Sequence, residues 1–365
     1  MHKRVLTKPD GRQLVLYARA PIPDSLCAPS PSTVPHQPNA HLRWHPLRGE
    51  WIAYASHRQN RTFLPPAEYD PLAPSCAPEH PTEVPAGPYD VAVFENLFPT
   101  LTPHAHDAPH LMVPTRPATG VCEVVVFTQD AWGSLGRLPL SHLTLIVDVW
   151  ADRYCELGAR PDVQYVYPFE NRGVEVGVTL HHPHGQVYAY PFVPPVAERE
   201  LQLQLAFYER ERRGLLDDLI GKERRDGRRV VYDGDGAIAF TPVCARYPYE
   251  VWIAPRRPAP SFAALSSPER RDFARALKTV LLKFDALWQR PFPYVLAFHQ
   301  APTDGIEHPE AHLHAECYPA YRMPGRLKYL AGSELGAGVF TADTLPEEKA
   351  DELRAVAIDP IDDEA

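Results

Sequence analysis

The sequence predicts an α+β fold made of two related lobes, and three observations support this prediction. Short runs rich in β-branched and aromatic residues, bounded by glycine and proline, indicate strands. Two longer segments, Pro139–Gly158 and the segment from Ser267 to about Gln289, indicate helices. The pattern His182-x-His184 returns as His312-x-His314, 130 residues later, and the long helices are offset by about the same amount. This internal repeat predicts an N-terminal lobe (1–194) and a C-terminal lobe (195–365) that could share one sheet.

The elements of the first lobe follow from local patterns. Asp10-Gly11 is a turn signal, so residues 1–20 should form a hairpin. Pro139–Gly158 is predicted as a helix because its apolar residues recur at helical spacing. Further strands are expected over Ile52–Ser56, Tyr89–Pro99, Gly120–Thr128, Val163–Phe169 and Val174–Pro191.

The second lobe is predicted by the same signals. Ser267-Pro268 opens the long helix, with proline at the first helical position. A hairpin over Arg228–Pro242 turns at the Asp-Gly-Asp-Gly sequence in its middle. Two more helices, Ala197–Ile220 and Pro346–Val356, and three strands, Tyr249–Pro255, Phe292–His299 and His312–Tyr318, complete the lobe.

Composition excludes several classes of protein. The chain has 37 Lys and Arg against 46 Asp and Glu, and the resulting net charge of −9 disfavours a nucleic-acid partner. The six cysteines are scattered without a Cys-x-x-Cys pair, which predicts reduced thiols in a cytoplasmic protein. Residues 1–21 lack an apolar core of signal-peptide length and no apolar run approaches a membrane span, so no membrane association is expected.

The central motif is His182-Pro183-His184-Gly185-Gln186. Alternate side chains of a strand share a face, so His182, His184 and Gln186 would point to the same side. Pro183 lacks a backbone N–H, which predicts a position at a sheet edge or at an irregular strand end. A His-x-His pair alone is also typical of surface histidines or zinc ligands, so its meaning depends on the wider context.

Seven motifs supply that context: HRQNR, FENLFP, FENRG, HHPHGQVYAYPFVP, AFHQAP, HLHAECYP and KYLAGSELG. Their order resembles the galactose-1-phosphate uridylyltransferase family of the histidine-triad superfamily, over about residues 40–357. Histidine-triad hydrolases usually carry a third histidine where this chain has Gln186, and the glutamine form resembles the transferase branch. The resemblance implies a histidine-triad-like α+β fold with a mostly antiparallel sheet and flanking helices. It also implies a homodimer with active sites near the subunit interface, and no organic cofactor.

The resemblance further implies a reaction. UMP would pass from UDP-glucose to galactose 1-phosphate, giving UDP-galactose and glucose 1-phosphate, by a ping-pong mechanism through uridylylated His184. A neutral imidazole is a good nucleophile near pH 7, and the phosphoramidate it forms can be cleaved by a second sugar phosphate. A backbone carbonyl near His182 would hold the other ring N–H of His184. The Gln186 amide would donate to phosphoryl oxygens without acting as a general acid for water, which favours transfer over hydrolysis.

The substrate contacts are also carried over from the family. Two arginines three residues apart can bind phosphate oxygens. The nucleotide contacts implied are Arg58, Arg61, Ser75, Asn96, Asn171, Gly177, Thr179 and Gln186, and the sugar-phosphate contacts are Lys328 and Glu334. Two departures from the family pattern affect this set. Pro74 and Ser75 stand where the family packs apolar residues on the base, and Ser333 stands where some members have tyrosine.

The resemblance implies two metal sites, and this sequence keeps the ligands of one better than those of the other. The zinc site uses a Cys-x-x-Cys pair, a downstream histidine and the first histidine of the motif, and the matching residues are Ala73, Cys76, Ala131 and His182. Two ligands are too few for a structural zinc, even if Asp70 reaches in as a third, so this site is predicted absent, with packing of the proline-rich loops in its place. The second site is matched by Glu200, His299, His314 and Glu316, which could hold a structural zinc or iron or form a buried polar network.

Two other functions remain open from the sequence. One is a nucleotidyl phosphorylase or hydrolase acting on ADP-sugars or dinucleoside polyphosphates, because the choice of base cannot be read from these residues. The other is a nucleotide-sugar binding protein that has lost catalysis. The intact His184 and Gln186 argue against the second alternative.

Overall fold

The computed structural model describes residues 1–61, 65, 69–76, 81–359 and 361. The strands of the first half are β1 (His2–Thr7), β2 (Gln13–Ala18), β3 (His41–His45), β4 (Glu50–Tyr54), β5 (Pro74–Ser75), β6 (Val84–Pro85), β7 (Val91–Glu95), β8 (Thr115–Pro117), β9 (Val121–Val126), β10 (Tyr165–Arg172) and β11 (His184–Tyr190). Those of the second half are β12 (Val230–Asp233), β13 (Ala237–Phe240), β14 (Val251–Pro255), β15 (Tyr294–His299), β16 (His314–Pro319), β17 (Tyr321–Met323) and β18 (Arg326–Leu327). The α-helices found in these residues are α1 (Leu140–Gly158), α2 (Pro195–Glu211), α3 (Leu215–Asp226), α4 (Ser267–Leu287) and α5 (Pro346–Ala355).

One sheet of eleven strands organises the molecule. Its order is β1-β2-β7-β9-β11-β10-β15-β16-β14-β13-β12, and every neighbouring pair is antiparallel. Outward from the centre, β10, β11, β9, β7 and β2 are matched by β15, β16, β14, β13 and β12. Each set runs in the same chain order around one long helix, α1 or α4. The predicted α+β class with a mostly antiparallel sheet is therefore confirmed, and the repeat is visible in the strand order.

The two halves also share one hydrophobic core. Helices α1 and α4 pack on each other and on the same face of the sheet. Trp150 of α1 contacts Phe262 and Phe298 of the second half, with ring centroids 5.5 and 4.5 Å away. Because the core is continuous, the boundary at residues 194 and 195 stays a prediction. No helix among the described residues has the length and apolar character needed to cross a bilayer.

One predicted helix is wrong in its length. The segment Ala197–Ile220 is divided between α2, which begins at Pro195 and ends at Glu211, and α3, which begins at Leu215. Arg212 takes a positive φ of 56°, and Gly214 has extended backbone. These two conformations interrupt the helical hydrogen bonds, although the side-chain pattern alone does not reveal the break.

The predicted strand Val174–Pro191 is also wrong at its start. Gly173 and Gly177 have φ angles of 97° and 82°, which only glycine adopts freely, so the chain turns there instead of extending. Strand β11 begins at His184 and lies in the middle of the sheet, so the expected edge position is wrong and the expected strand end is right. Pro183 stands just before the strand, where no ladder N–H is required. His182 therefore does not share the strand face with His184 and Gln186.

A buried cluster of charges anchors the N-terminal hairpin β1–β2. Lys8, Asp10 and Arg12 are each 2% exposed, and Glu83 is 5% exposed. Arg12 lies 2.7 Å from the Asp10 carboxylate and 2.8 Å from that of Glu83, and Lys8 pairs with Glu83 as well. Charges removed from water are tolerated only when each keeps its partners, so each member of this cluster depends on the others.

Replacing Arg12 with methionine should therefore destabilise the fold. Asp10 and Glu83 would each lose a cationic partner while staying buried, which costs about 3–5 kcal/mol of the free energy of unfolding. Urea unfolding followed by circular dichroism measures the change.

The matched control for this prediction is Arg19→Met. Arg19 pairs with Asp90, but its side chain is 48% exposed, so its loss should cost less than about 1 kcal/mol. An equal loss in the free energy of unfolding for the two variants would contradict the view that the charge cluster at Arg12 anchors the hairpin.

Candidate functional site

The candidate site is a cavity of about 270 Å³ on the face of the sheet opposite α1 and α4, beside the start of β11. Alternation on β11 brings His184, Gln186 and Tyr188 to this face, while Val187 and Ala189 belong to the core cluster. The residues predicted from the sequence that line the cavity are Arg58, Arg61, Asn96, Asn171, Gly177, Thr179, His184 and Gln186. Their functional roles remain predictions, but they lie around one space.

The imidazole of His184 is held in one tautomer. Its Nδ1 lies 2.7 Å from the backbone carbonyl oxygen of His182, as the sequence predicted. A carbonyl oxygen can only accept, so Nδ1 carries the hydrogen and Nε2 keeps a free electron pair. Burial lowers the pKa of His184 below its usual value, although the hydrogen bond to the His182 carbonyl raises it in part. The ring is therefore neutral at pH 7, which is the state required of a nucleophile.

Arginines stand at one side of the cavity. Arg58 belongs to a short 3₁₀ helix, Ser56–Asn60, and donates to the Phe98 carbonyl, while Arg61 follows the helix directly. Asn96 accepts the backbone N–H of Phe98 at 2.8 Å, so the same turn fixes the asparagine and the contact of Arg58. Two guanidinium groups with the Gln186 amide form a donor set for phosphate oxygens.

Most of the remaining wall is apolar and was largely missed from the sequence. Leu72, Phe94, Phe169 and Tyr188 line the cavity. Phe169 and Tyr188 follow from strand alternation, because each lies two residues from a predicted site residue on the same strand, Asn171 or Gln186. Ser75, which was predicted here, is not among the lining residues and instead pairs with Pro85 in a short parallel ladder. Leu72 and Pro71 occupy the wall nearby.

His182 lies behind His184 rather than in the cavity. It is 2% exposed, its Nδ1 lies 2.6 Å from the Asp70 carboxylate, and its Nε2 lies 2.7 Å from the Thr128 carbonyl oxygen. With both ring nitrogens engaged and Cys76 exposed, the residues at the family's zinc position do not fit a zinc site. Packing of the proline-rich loops in place of zinc stays a prediction; in the structure a carboxylate and a carbonyl oxygen contact the histidine.

A second polar cluster lies in the C-terminal lobe. Donor atoms of Glu200, His299 and His314 lie within 4.8 Å of one another, which fits a metal site. Glu200 lies 3.0 Å from His299 Nδ1, and although burial would lower the pKa of His299, this carboxylate raises it. Glu316 lies 3.7 and 4.0 Å from the two imidazoles, but its carboxylate also pairs with Arg246 at 3.2 Å and accepts the Tyr318 hydroxyl.

Lys328 and Glu334 are not brought to the His184 cavity within this chain. They line a separate cleft together with Tyr329 and Thr341, and Lys328 Nζ donates to the Thr341 carbonyl at 2.6 Å. Their charged groups lie 3.8 Å apart. The two residues predicted at the sugar-phosphate end are therefore close to each other but apart from the predicted nucleotide contacts.

Comparison with known proteins covers both halves of the chain. Residues 32–194 match the model of the galactose-1-phosphate uridyl transferase N-terminal domain, and residues 200–362 match that of the C-terminal domain. The galactose-1-phosphate uridylyltransferase of Thermotoga maritima is 36% identical over 87% of this chain and 99% of its own length. That of Streptomyces lividans is 35% identical over 95% of this chain and 96% of its own length. A solved uridylyltransferase structure is 33% identical and superposes with a TM-score of 0.77, covering 87% of this chain and 98% of the other.

Proposed function

This chain belongs to the galactose-1-phosphate uridylyltransferase family, and we propose that it transfers UMP from UDP-glucose to galactose 1-phosphate through His184. It is a nucleotidyltransferase whose substrates are nucleotide sugars and sugar phosphates. The observation that carries the mechanism is the hydrogen bond from His184 Nδ1 to the His182 carbonyl, which leaves Nε2 free beside two arginines and an amide.

The first half-reaction is an attack of Nε2 on the α-phosphorus of UDP-glucose. The N–P bond forms as the bond from phosphorus to the bridging oxygen breaks, and glucose 1-phosphate leaves with the electron pair. His184 becomes positively charged during attack, and the His182 carbonyl stabilises its Nδ1–H. Arg58, Arg61 and the Gln186 amide stabilise negative charge on the phosphoryl oxygens.

The second half-reaction reverses these bonds with another sugar. A phosphate oxygen of galactose 1-phosphate attacks the phosphoramidate, the N–P bond breaks, and UDP-galactose leaves. His184 recovers its electron pair and is neutral again. The apolar wall formed by Leu72, Phe94 and Phe169 suits the uridine, because apolar and aromatic side chains can pack on a base.

Intact-protein mass spectrometry after mixing with UDP-glucose tests the nucleophile. The wild-type chain should gain the mass of one UMP and lose it on addition of galactose 1-phosphate, because the phosphoramidate is an intermediate of both half-reactions. His184→Gly should gain nothing, since it retains the cavity but lacks the attacking nitrogen.

Two results would contradict this assignment. An adduct on His184→Gly would mean that another residue is the nucleophile. An adduct with ADP-glucose and none with UDP-glucose would move the protein to the class of enzymes that act on ADP-sugars.

We further propose a homodimer in which Lys328 and Glu334 serve the cavity of the partner subunit. Both lie in a cleft separate from the His184 cavity, which is consistent with action across an interface. The segment that follows Lys328 also exposes Tyr329, Leu335 and Val339 by 75%, 63% and 62%. Exposed apolar side chains in one segment are typical of an interaction surface. The cytoplasmic location expected from the cysteines stays a prediction.

Mixing two inactive variants tests the shared site. A heterodimer of His184→Gly with the Lys328→Ala, Glu334→Gln double variant holds one intact site, because His184 of one subunit meets Lys328 and Glu334 of the other. Random pairing in a two-fold dimer should restore about a quarter of wild-type activity.

The matched control pairs His184→Gly with Gln186→Leu. Both changes lie in the cavity of a single chain, so no heterodimer of this pair has an intact site. Activity restored in the control, or absent from the first mixture, would contradict action across the interface.

We also propose that Glu200, His299 and His314 hold a structural zinc or iron ion, with Glu316 as the fourth ligand. One oxygen and two imidazole donors suit either metal, and the ion would link α2 to β15 and β16.

Elemental analysis of the purified protein should find about one metal per chain, and His299→Asn should lose it. Cys76→Ser is the control and should keep the metal, because Cys76 belongs to the zinc position that does not fit; loss in that variant would overturn the assignment.

A further inference from the structure

We propose that Asp70 is a positioning residue for the uridylyl transfer, acting on His184 through His182. This inference rests on the proposed function, but it concerns a residue outside the predicted donor set. This chain lacks the family's full set of zinc ligands, and a carboxylate of the chain itself contacts the histidine that would otherwise bind zinc.

The contacts of His182 fix its ring at both ends. The Asp70 carboxylate lies 2.6 Å from Nδ1, and the Thr128 carbonyl oxygen lies 2.7 Å from Nε2. An ionised carboxylate and a carbonyl oxygen both accept only, so each ring nitrogen must donate a hydrogen. Although burial would raise the pKa of Asp70, the hydrogen bond from His182 lowers it, which keeps the carboxylate ionised. The pair is therefore a charge-assisted contact in a buried setting.

The fixed ring controls the nucleophile because both belong to one short segment. The carbonyl of His182 accepts the Nδ1–H of His184 at 2.7 Å. Pro183 restricts the backbone between them, and its own carbonyl accepts the N–H of Phe127 at 3.1 Å. A shift of the His182 ring would move the carbonyl that sets the tautomer of His184.

The second lobe supplies an internal comparison. His314 Nδ1 lies 2.9 Å from the carbonyl of His312, and His312 Nε2 lies 2.9 Å from the carbonyl of Pro255, as in the first lobe. His312 Nδ1 has no hydrogen-bond partner among the described residues. The backbone arrangement therefore forms without a carboxylate. The acidic partner is found in the lobe whose His-x-His strand lines the nucleotide cavity.

The position of Asp70 also links the nucleophile to the cavity wall. Tyr69, Pro71 and Leu72 line the cavity on either side of it in sequence, and the Asp70 carboxylate accepts the N–H of Leu72 at 2.9 Å. One carboxylate thus holds a turn of the wall and the histidine behind His184. Precise placement of a reacting atom against a bound substrate is worth large factors in rate.

Rapid-quench measurement of UMP adduct formation tests the proposal in the full-length protein with UDP-glucose. Asp70→Asn keeps the shape of the side chain but loses its charge, and should slow adduct formation by about 10–100-fold, as expected for a residue that orients a reacting one. The final amount of adduct per chain should stay at the wild-type level, because a less well placed nucleophile still reacts. Asp70→Glu should recover part of the rate.

Asp130→Asn is the matched control. Asp130 lies two residues after Thr128 in the same loop and accepts the N–H of Trp132 at 3.0 Å, in the same kind of turn that Asp70 makes with Leu72. Its exposed carboxylate has no contact with His182 among the described residues, so the rate should stay within twofold of wild type.

The outcomes separate positioning from a structural role and from failure of the proposed function. A slower rate with the full amount of adduct supports positioning. A reduced amount at an unchanged rate would mean that Asp70 only maintains the fold, and the full amount at a rate within twofold of wild type would overturn its role altogether. Absence of an adduct on the wild-type chain would instead contradict the proposed function.

Discussion

Strand alternation on β11 is the constraint on which the site depends. The strand lies in the middle of the sheet, so its alternate side chains contribute to both faces of the sheet. Val187 and Ala189 fill the core beneath α1, while His184, Gln186 and Tyr188 line the cavity. Gly185 fits between His184 and Gln186 only because it has no side chain. A Cβ there would lie 2.6 Å from the Phe127 ring and 3.0 Å from the Phe169 carbonyl oxygen. A shift of one residue in the register of β11 would bury its polar side chains and remove its apolar side chains from the core.

The same topology carries different chemistry in its two halves. His314 corresponds to His184 in strand order and in its hydrogen bond to the preceding histidine carbonyl. The residue two positions later is Gln186 in the first lobe and Glu316 in the second. A neutral amide suits a phosphoryl group, whereas a carboxylate beside two imidazoles suits a cation or an arginine, and Glu316 contacts Arg246. The two lobes thus share a backbone arrangement, and the side chain at one position of each strand determines which groups the strand can bind.

Local signals explain which parts of the structure could be predicted from sequence. Helix α4 was predicted well because Ser267-Pro268 marks its start, and the structure adds a capping box formed by Ser266 and Glu269. Six of the eight predicted cavity residues were found because each lies within a short motif, and the other two, Gly177 and Thr179, lie between two of these motifs. The pairing of Asp70 with His182 joins residues 112 positions apart, and no periodicity marks it. The turn at Gly173 and Gly177 was missed because the β-branched residues between them favour a strand, and positive φ angles at the glycines override that preference.

The N-terminal hairpin shows how stability and the site are connected. Residues 1–31 lie outside the part of the chain that the family models match, yet they supply Lys8, Asp10 and Arg12 to the buried charge cluster. Arg12 donates to the carbonyl of Glu95 at 2.9 Å, directly before Asn96 of the cavity. Its partner Glu83 also lines the cavity, as does Pro31. Because the charges of the cluster are buried and depend on one another, loss of Arg12 or Glu83 should also disturb the wall that contains Asn96. The Asn96 side of the cavity is therefore in contact with a segment that precedes the residues matched by the family models, while Asp70 contacts the histidine whose carbonyl accepts the Nδ1–H of His184.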